Sequence, residues 1–360
     1  MIDVLIDSGN APHHTGIGTY HTGLVNALNN YGQHEINIKE STITSTSRKL
    51  RSIRRLNYLW KLNQLSKQVF GNTDIVHFTN VYVPKNIEKT PFVSTIHDID
   101  ALIYPSTYSF AYRLYFKRII ALTFRRAEII LTVSEAVKQS ILNRYDFPDN
   151  KIRPIGIGLS EEFIGAADST ESILHSEIPT LLFVGSLSVK KNTEWLIKNT
   201  VKGVKSGALP RLKLILAGSA GFGFDSIASE MKDAGDIVNW VKNPNLNELA
   251  KLYKQSTIFV FPSRTEGFGI PLIEAMYCKK PIVASRIPAS VEIASNAAYF
   301  FDLDDVDNFY SAIKCALEDR NYELRNKSAA EQLNKYSWKN LVPLYIAAYK
   351  EAIWNHKKEK

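Results

Sequence analysis

The sequence predicts an α/β fold made of two domains, each with a parallel sheet covered by helices. The chain has 360 residues, which exceeds the size at which a single hydrophobic core usually stops growing. Short apolar runs typical of buried strands alternate with segments of helical periodicity along both halves. This order predicts parallel sheets with right-handed crossovers.

The composition indicates a folded protein that favours anionic partners. Hydrophobic residues make up 45% of the chain, charged residues make up 22%, and the formal net charge is +8. The two cysteines, Cys278 and Cys315, are too few for a disulfide framework and lack metal-ligand spacing. The N-terminus lacks the pattern of a signal peptide, and no run approaches the ~20 apolar residues that span a bilayer. We therefore expect a cytoplasmic protein.

In the first half, a glycine turn and a histidine follow predicted strands. The strand-like run at residues 4–6 leads to a turn with Gly16 and Gly18, after which apolar residues recur at helical spacing. This turn falls short of the full dinucleotide fingerprint, which needs a third glycine and an acidic residue. A later strand-like run, residues 91–96, ends at His97, where open α/β sheets bind ligands. A lone histidine is also a common structural group.

Two basic segments with interleaved aromatic residues also lie in the first half. The first, residues 48–67, includes Arg48 and Lys67, and the second, residues 112–126, includes Tyr112 and Arg126. Such segments can lie on an anionic membrane surface, but a solvated helix face has the same composition. Nucleic acid is not expected, because no recognition fold surrounds them.

The second half follows a polar stretch, residues 166–177, that is typical of a linker. A buried strand then ends in glycine and leads through Lys190 and Lys191 into a helix. Two lysines at the carboxyl end of a strand can neutralise a diphosphate leaving group. A later strand-like run ends at Val241 and is followed by Lys242.

The most specific pattern is a strand, a glycine loop and a helix within residues 258–285. The strand stops at a proline, and Pro271 is suited to be the first residue of the helix. Such a loop directs the free N–H groups of a helix N-terminus, and the positive end of its dipole, at an anion. Glu266 and Glu274 add hydrogen-bond acceptors, so the loop suits a phosphorylated sugar.

The spacing Glu266-x7-Glu274, with Gly-Phe-Gly and Pro-Leu-Ile-Glu-Ala between and around these residues, resembles the donor-site motif of retaining glycosyltransferases of family 4. The resemblance covers residues 16–349. It implies the GT-B fold, in which two Rossmann-like doubly wound domains face a cleft and a C-terminal helix crosses back to the first domain.

The resemblance also implies a domain organisation. Residues 1–165 would form an acceptor-binding domain and residues 178–336 a nucleotide-sugar-binding domain. Residues 337–360 would form the helix that returns to the first domain.

The activity implied by the resemblance is transfer of a sugar from a nucleotide diphosphate to a hydroxyl of a glycan or lipid-linked saccharide, with no cofactor and no metal. Glu266 and His97 would be catalytic, with His97 in the acceptor-side segment. Lys191 aligns with the family's phosphate-binding lysine. The donor-binding residues implied are Gly16, Gly18, Lys190, Lys191, Val241, Lys242, Gly267, Phe268, Gly269, Ile270, Pro271, Leu272 and Glu274.

Two other functions fit parts of the sequence. A sugar-nucleotide epimerase can have the same two-domain architecture, and a non-catalytic protein that binds an anionic surface would account for the basic segments alone. As a transferase with a lipid-linked acceptor, the protein would act in the synthesis of a polysaccharide or cell-envelope glycan. We then expect it to be peripheral on the inner face of the plasma membrane.

Overall fold

The computed structural model divides the chain into two compact units. It describes residues 1–7, 15–41, 73–81, 90–105, 108, 110–171, 177–318 and 321–358. The first unit comprises Met1–Gly158 together with Ser337–Lys360, and the second comprises Leu159–Tyr336. The basic segment at residues 48–67 lies outside the described residues.

A parallel sheet forms the centre of the first unit. The described strands follow the order β2-β1-β3-β4-β5-β6. β1 lies between β2 and β3, so the chain adds β2 on one side of β1 and then β3 on the other, and the order of the strands reverses there. Open α/β sheets bind ligands outside the carboxyl ends of the strands at such a point. The strands are β1 (Ile2–Asp7), β2 (Ile36–Ser41), β3 (Ile75–Phe78), β4 (Phe92–Ile96), β5 (Ile129–Thr132) and β6 (Ile152–Pro154).

The first of the helices on this sheet begins at the predicted glycine turn. Thr15 caps it, because its Oγ1 accepts a hydrogen bond from the backbone N–H of Gly18 at 3.2 Å. Gly16 and Gly18 therefore lie within the first turn of the helix. The helices from this part of the chain are α1 (Gly16–Tyr31), α2 (Asp100–Ile103), α3 (Phe110–Arg126) and α4 (Glu135–Leu142).

The second unit contains another parallel sheet, with the strand order β12-β11-β10-β7-β8-β9. Its strands are continuous apolar runs at the centre, as expected for a sheet that is covered on both faces. The direction of strand addition reverses between β7 and β10. The strands are β7 (Thr180–Val184), β8 (Lys213–Gly218), β9 (Val238–Lys242), β10 (Ile258–Phe261), β11 (Ile282–Ser285) and β12 (Ala298–Phe301).

The helices of the second unit begin earlier than predicted. Residues 166–169, predicted as part of a linker, instead form the end of α5, so that prediction was wrong. Ser160 Oγ caps α5 by accepting from the N–H of Phe163 at 3.1 Å, and Phe163 packs edge-on against Tyr253 with ring centroids 5.7 Å apart. The helices are α5 (Glu161–Ser169), α6 (Thr193–Ser206), α7 (Phe224–Asp233), α8 (Leu246–Gln255), α9 (Ile270–Tyr277), α10 (Pro288–Ala294), α11 (Val306–Glu318) and α12 (Tyr322–Lys335).

The last helix, α13 (Trp338–Lys358), belongs to the first unit, as the resemblance implied. Trp338 occupies the space that two glycines leave open: a Cβ at Gly23 would lie 2.9 Å from its ring, and one at Gly158 would lie 2.5 Å away. Tyr345 donates a hydrogen bond to the carbonyl oxygen of Gly156 at 3.0 Å. Side chains near the C-terminus thus complete the core of a unit that begins at the N-terminus.

Candidate functional site

Two loops meet where strand addition reverses in the second sheet. One follows β7 and carries Lys190 and Lys191, and the other follows β10 and carries Glu266. The backbone N–H of Arg264 donates to the carbonyl oxygen of Lys190 at 3.0 Å and joins the loops directly. Because β7 and β10 are neighbours in a parallel sheet, their carboxyl ends bring together residues that lie 75 positions apart in sequence.

The centre of this arrangement is an ion pair between Lys191 Nζ and Glu266 Oε1. Ser263 Oγ donates to the same carboxylate oxygen at 2.6 Å, and the carbonyl oxygen of Ser263 accepts from Ser285 Oγ at 2.6 Å. The side chains of Lys191 and Glu266 are only 17% and 8% exposed. Charge-assisted hydrogen bonds thus fix the Glu266 carboxylate in one orientation.

The glycine loop leads directly into α9. Gly269 precedes the helix with φ of 102°, a left-handed conformation that favours glycine. Ile270 is the first helical residue and Pro271 the second, one position later than predicted, and no side chain of the described residues caps this helix. Phe268 is buried and packs edge-on against Tyr336 with centroids 5.1 Å apart. The helix N-terminus therefore offers backbone donors and its dipole to an anion.

Glu274 lies farther along α9 and is buried. The hydroxyl of Tyr253 donates to Glu274 Oε2 at 2.8 Å. Burial raises the pKa of Glu274 from 4.5 to about 7, and the hydrogen bond from Tyr253 opposes that rise. The carboxyl group consequently changes protonation near neutral pH.

Val241 and Lys242 lie at the end of β9, which is an edge strand of the same sheet. β9 is three strands away from β10, a separation of about 14 Å at the usual spacing of neighbouring strands. Trp240 supports this edge by donating from Nε1 to the carbonyl oxygen of Gly218 at 3.0 Å. The structure therefore keeps Val241 and Lys242 apart from the ion pair and leaves a span that suits an extended ligand.

His97 follows β4 in the first unit, as predicted. Its Nε2 lies 2.9 Å from the carbonyl oxygen of Thr79, and because a carbonyl only accepts, Nε2 carries the proton. Burial lowers the pKa of His97, while the Thr79 hydrogen bond and Asp98 oppose this. The neutral ring leaves Nδ1 as a hydrogen-bond acceptor. A Cβ at Gly16, in the same unit, would meet no atom within 4 Å.

A buried polar network supports His97. The ring of Tyr20 packs edge-on against His97 with centroids 4.9 Å apart, and the Tyr20 hydroxyl lies 2.9 Å from Thr95 Oγ1. Thr95 Oγ1 is also 2.8 Å from His77 Nε2, and His77 Nδ1 is 2.8 Å from the hydroxyl of Tyr349 in α13. Burial lowers the pKa of His77 to about 3, so its ring is neutral within this network.

Sequence reasoning missed Ser263, Tyr253 and Tyr20, which contact the predicted residues. The position of Ser263 just after β10 was a usable signal, because such positions lie at the ligand-binding edge of the sheet. No sequence signal pairs Tyr253 with Glu274 or Tyr20 with His97, since each pair comes from different elements. In the described part of the chain, no cluster of three or more His, Cys, Asp or Glu side chains is arranged to hold a metal ion.

The comparisons with known proteins assign the chain to a family. The model for "Glycosyltransferase Family 4" matches residues 18–163, and the model for "Glycosyl transferases group 1" matches residues 168–333. The chain therefore belongs to the group of family 4-type glycosyltransferases that these two models describe. Together the models cover both units, so the family assignment does not depend on the central motif alone.

A curated relative and two solved structures extend the comparison. The O-antigen chain mannosyltransferase RfbU of Salmonella typhimurium is 32% identical over 250 residues, which are 68% of this chain and 65% of the relative. Sucrose-phosphate synthase from Thermosynechococcus elongatus superposes with a TM-score of 0.74 at 18% identity, covering 97% of this chain and 98% of that one. HepE from Anabaena, in complex with UDP and glucose, gives 0.69 at 16% identity, covering 96% and 98%.

The likeness to these solved structures confirms two Rossmann-like domains of the GT-B type. The protein is a glycosyltransferase, and neither alternative function is favoured, because the relatives bear the names of sugar transferases. Within the described residues, no helix is both long enough and apolar enough to cross a membrane.

Proposed function

We propose that the protein is a retaining glycosyltransferase that moves a sugar from a nucleotide diphosphate to a hydroxyl of a glycan or lipid-linked saccharide. The observation that carries this proposal is the ion pair of Lys191 and Glu266 beside the N-terminus of α9, at the reversal point of the second sheet. A cation, a fixed carboxylate and backbone donors are the groups needed to hold a diphosphate next to a sugar.

In this proposal the diphosphate binds to Lys191 and to the backbone N–H groups of Phe268, Gly269 and Ile270, which lead into α9. The nucleobase contacts the backbone at Val241 and Lys242, and Glu274 accepts hydrogen bonds from the ribose. The length of an extended nucleoside diphosphate suits the span of about 14 Å between β10 and β9. The HepE complex with UDP and glucose supports a donor of this chemical class.

The transfer breaks the bond between the anomeric carbon and the diphosphate oxygen, and the bonding electrons leave with the diphosphate. The acceptor hydroxyl attacks the same face, and its proton passes to the departing diphosphate. The sugar passes through an oxocarbenium-like state, so the enzyme must stabilise positive charge on the sugar and negative charge on the leaving group. We assign the first task to the ionised Glu266 and the second to Lys191 with the helix dipole.

His97 binds a hydroxyl of the donor sugar or of the acceptor. Its Nε2 donates a hydrogen bond to the carbonyl oxygen of Thr79, so Nδ1 is the ring atom that can accept a hydrogen bond from a hydroxyl group. Because the ring is neutral, His97 orients the hydroxyl by a hydrogen bond and adds no charge to the site. We expect His97→Ala to affect turnover and leave nucleotide affinity close to that of the wild type.

We also propose that turnover needs no metal ion. Lys191 and the N-terminus of α9 supply positive charge where other transferases use a cation to stabilise the departing diphosphate. Activity should then survive dialysis against a chelator. Loss of turnover in chelator that magnesium or manganese restores would contradict this part of the proposal.

The membrane prediction also remains a proposal. The basic segment at residues 112–126 lies in α3, whose exposed side chains include Tyr112 and Leu122. Exposed aromatic, apolar and basic side chains on one helix are typical of helices that rest on an anionic lipid surface. On this basis we propose that the protein acts as a peripheral protein on such a surface.

The test of the transfer reaction begins with a panel of nucleotide sugars, each assayed with a candidate acceptor by time-resolved NMR. The expected product keeps the anomeric configuration of the donor, and nucleoside diphosphate is released faster with acceptor than without it. An inverted product would refute the retaining mechanism, and an epimerised sugar nucleotide with an intact diphosphate would refute the transfer.

The matching variant is Glu266→Gln, which keeps the size of the side chain and removes its charge. We expect a fall in kcat of about a hundredfold or more with little change in nucleotide affinity, because the lost interaction acts on the transition state. Glu331→Gln, on the exposed face of α12, is the control. A near wild-type kcat in Glu266→Gln would remove Glu266 from the proposed role.

A further inference from the structure

A pocket of about 350 Å³ lies beside α3 in the first unit. Its cationic lining residues are Arg113, Lys117 and Arg144, and its apolar lining includes Leu102, Phe110 and Leu114. The volume falls within the range of small-molecule sites, which begins at about 300 Å³. A pocket with one charged region and one apolar region is suited to an amphiphilic molecule.

The position of these residues follows from the spacing of the helix. Phe110, Arg113, Leu114 and Lys117 follow the spacing i, i+3, i+4 and i+7 and therefore share one face of α3. Arg144 reaches the pocket from the turn that follows α4. Two elements thus supply positive charge to one space.

The carboxylates of the described residues leave the positive charges in the pocket without an ion pair. Among the described residues, no carboxylate forms an ion pair with Arg113, Lys117 or Arg144. Arg113 Nε is buried and lacks a hydrogen-bond partner in the described structure. A buried donor without a partner is costly, and an anionic ligand would satisfy it.

The apolar part of the pocket is unusually accessible. Phe110 is 72% exposed and Leu114 is 46% exposed, although both are large hydrophobic residues. The guanidinium of Arg113 lies 5.5 Å from the centre of the Phe110 ring, so the charged and apolar surfaces are continuous. A hydrocarbon chain attached to the anion would cover these side chains.

We propose that this pocket binds a single acidic lipid, with its phosphate on Arg113, Lys117 and Arg144 and the beginning of its hydrocarbon chain on Phe110 and Leu114. This site is distinct from the donor site. A basic helix alone is attracted to a membrane without selecting a lipid, whereas this pocket recognises one headgroup. Failure of this proposal would leave the proposed transfer reaction unaffected, because the two are measured by different ligands.

The test compares two double variants that remove the same charge from the same helix. Arg113→Gln with Lys117→Gln empties the pocket of two cations, whereas Arg118→Gln with Arg125→Gln removes two exposed cations outside it. Each is titrated with decyl phosphate monomers by calorimetry. We expect the first pair to lower affinity by about tenfold or more and the second pair to retain it, since charge-assisted hydrogen bonds are lost only in the pocket.

Two further arms separate the sources of binding. Inorganic phosphate probes the head alone, and binding as tight as that of decyl phosphate would refute the amphiphile proposal. Leu114→Ser should weaken decyl phosphate binding more than Leu122→Ser, which changes a similarly exposed leucine outside the pocket on the same helix. Equal losses would also refute it.

Sedimentation with vesicles of phosphatidylglycerol or phosphatidylcholine then tests the membrane context. We expect the wild type and the Arg118 and Arg125 pair to bind the acidic vesicles, and the Arg113 and Lys117 pair to bind them weakly. The same loss in both pairs would show that diffuse charge accounts for the binding and that the pocket has no role. Unchanged melting temperatures establish that each variant is folded.

Discussion

Loss of the Glu274 proton should make the second unit less stable as the pH rises, and the substitution Glu274→Gln should remove this effect. The folded-state pKa of Glu274 is raised from 4.5 to about 7 by burial. Below pH 4.5 the group is protonated in both the folded and the unfolded state. Between 4.5 and about 7 the unfolded chain loses the proton first, so the unfolded state becomes relatively more favourable.

The size of the effect follows from the two pKa values. The difference between 4.5 and about 7 corresponds to about 3 kcal/mol, because one pKa unit is equivalent to about 1.4 kcal/mol. Most of this change falls between pH 4.5 and about pH 7. The glutamine side chain of the variant would stay neutral and could still accept the hydrogen bond from Tyr253. The variant should therefore gain stability relative to the wild type by about 2 to 3 kcal/mol over this interval.

Urea unfolding at the two ends of this pH interval measures the difference. Tryptophan fluorescence follows both units, because Trp195 and Trp240 lie in the second unit and Trp338 and Trp354 lie in the first. The free energy of unfolding of the wild type is subtracted from that of Glu274→Gln at each pH, so contributions from other groups cancel. Glu331→Gln, which changes an exposed glutamate, should show no such trend. A difference between wild type and Glu274→Gln that stays constant across the interval would refute the reasoning.

Three further predictions follow from the site and its support. Binding of a nucleoside diphosphate near pH 7 should release protons from the protein, because ribose hydroxyls that donate to Glu274 would lower its pKa from about 7. Calorimetry in buffers of different ionisation enthalpy measures this release, and binding without it would contradict the ribose contact. Lys191→Met should reduce the rise in melting temperature caused by a nucleoside diphosphate, whereas Lys205→Met, at an exposed position near the end of α6, should keep it; equal shifts would remove Lys191 from the phosphate site. Tyr349→Phe should destabilise the fold by about 1 to 3 kcal/mol in urea, because it leaves buried His77 Nδ1 without its partner, while exposed Tyr322→Phe should be neutral.

The fold was largely readable from local patterns. The run at residues 258–261 is apolar throughout and is the strand β10, and the glycine turn with Gly16 and Gly18 opens a helix, as predicted. Such elements depend on periodicity and on nearby residues, which the sequence displays directly. The order of the strands depends on which runs pair, and this is decided by contacts between distant residues. The reversal between β7 and β10, which creates the site, emerges only from that order.

The interactions of the candidate site were harder to predict than its positions. Lys191 and Glu266 were each expected near a diphosphate, but their ion pair and the hydrogen bond from Ser263 follow from two loops approaching each other. The raised pKa of Glu274 depends on its depth of burial, which helical periodicity alone does not give. The linker was mispredicted at residues 166–169, because a polar composition concealed the few buried side chains that fix α5.

The return of α13 to the first unit has a consequence for how the chain is made. The second unit is one continuous stretch, Leu159–Tyr336, so all its partners are present once residue 336 has left the ribosome. The first unit is synthesised earlier, yet Trp338 and Tyr349 reach it only after the entire second unit has emerged. Until then, the groove beside Gly23 and Gly158 lacks Trp338, and Nδ1 of His77 lacks its hydrogen-bond partner. The part translated first is therefore completed last, and a nascent chain should depend on chaperones during that interval.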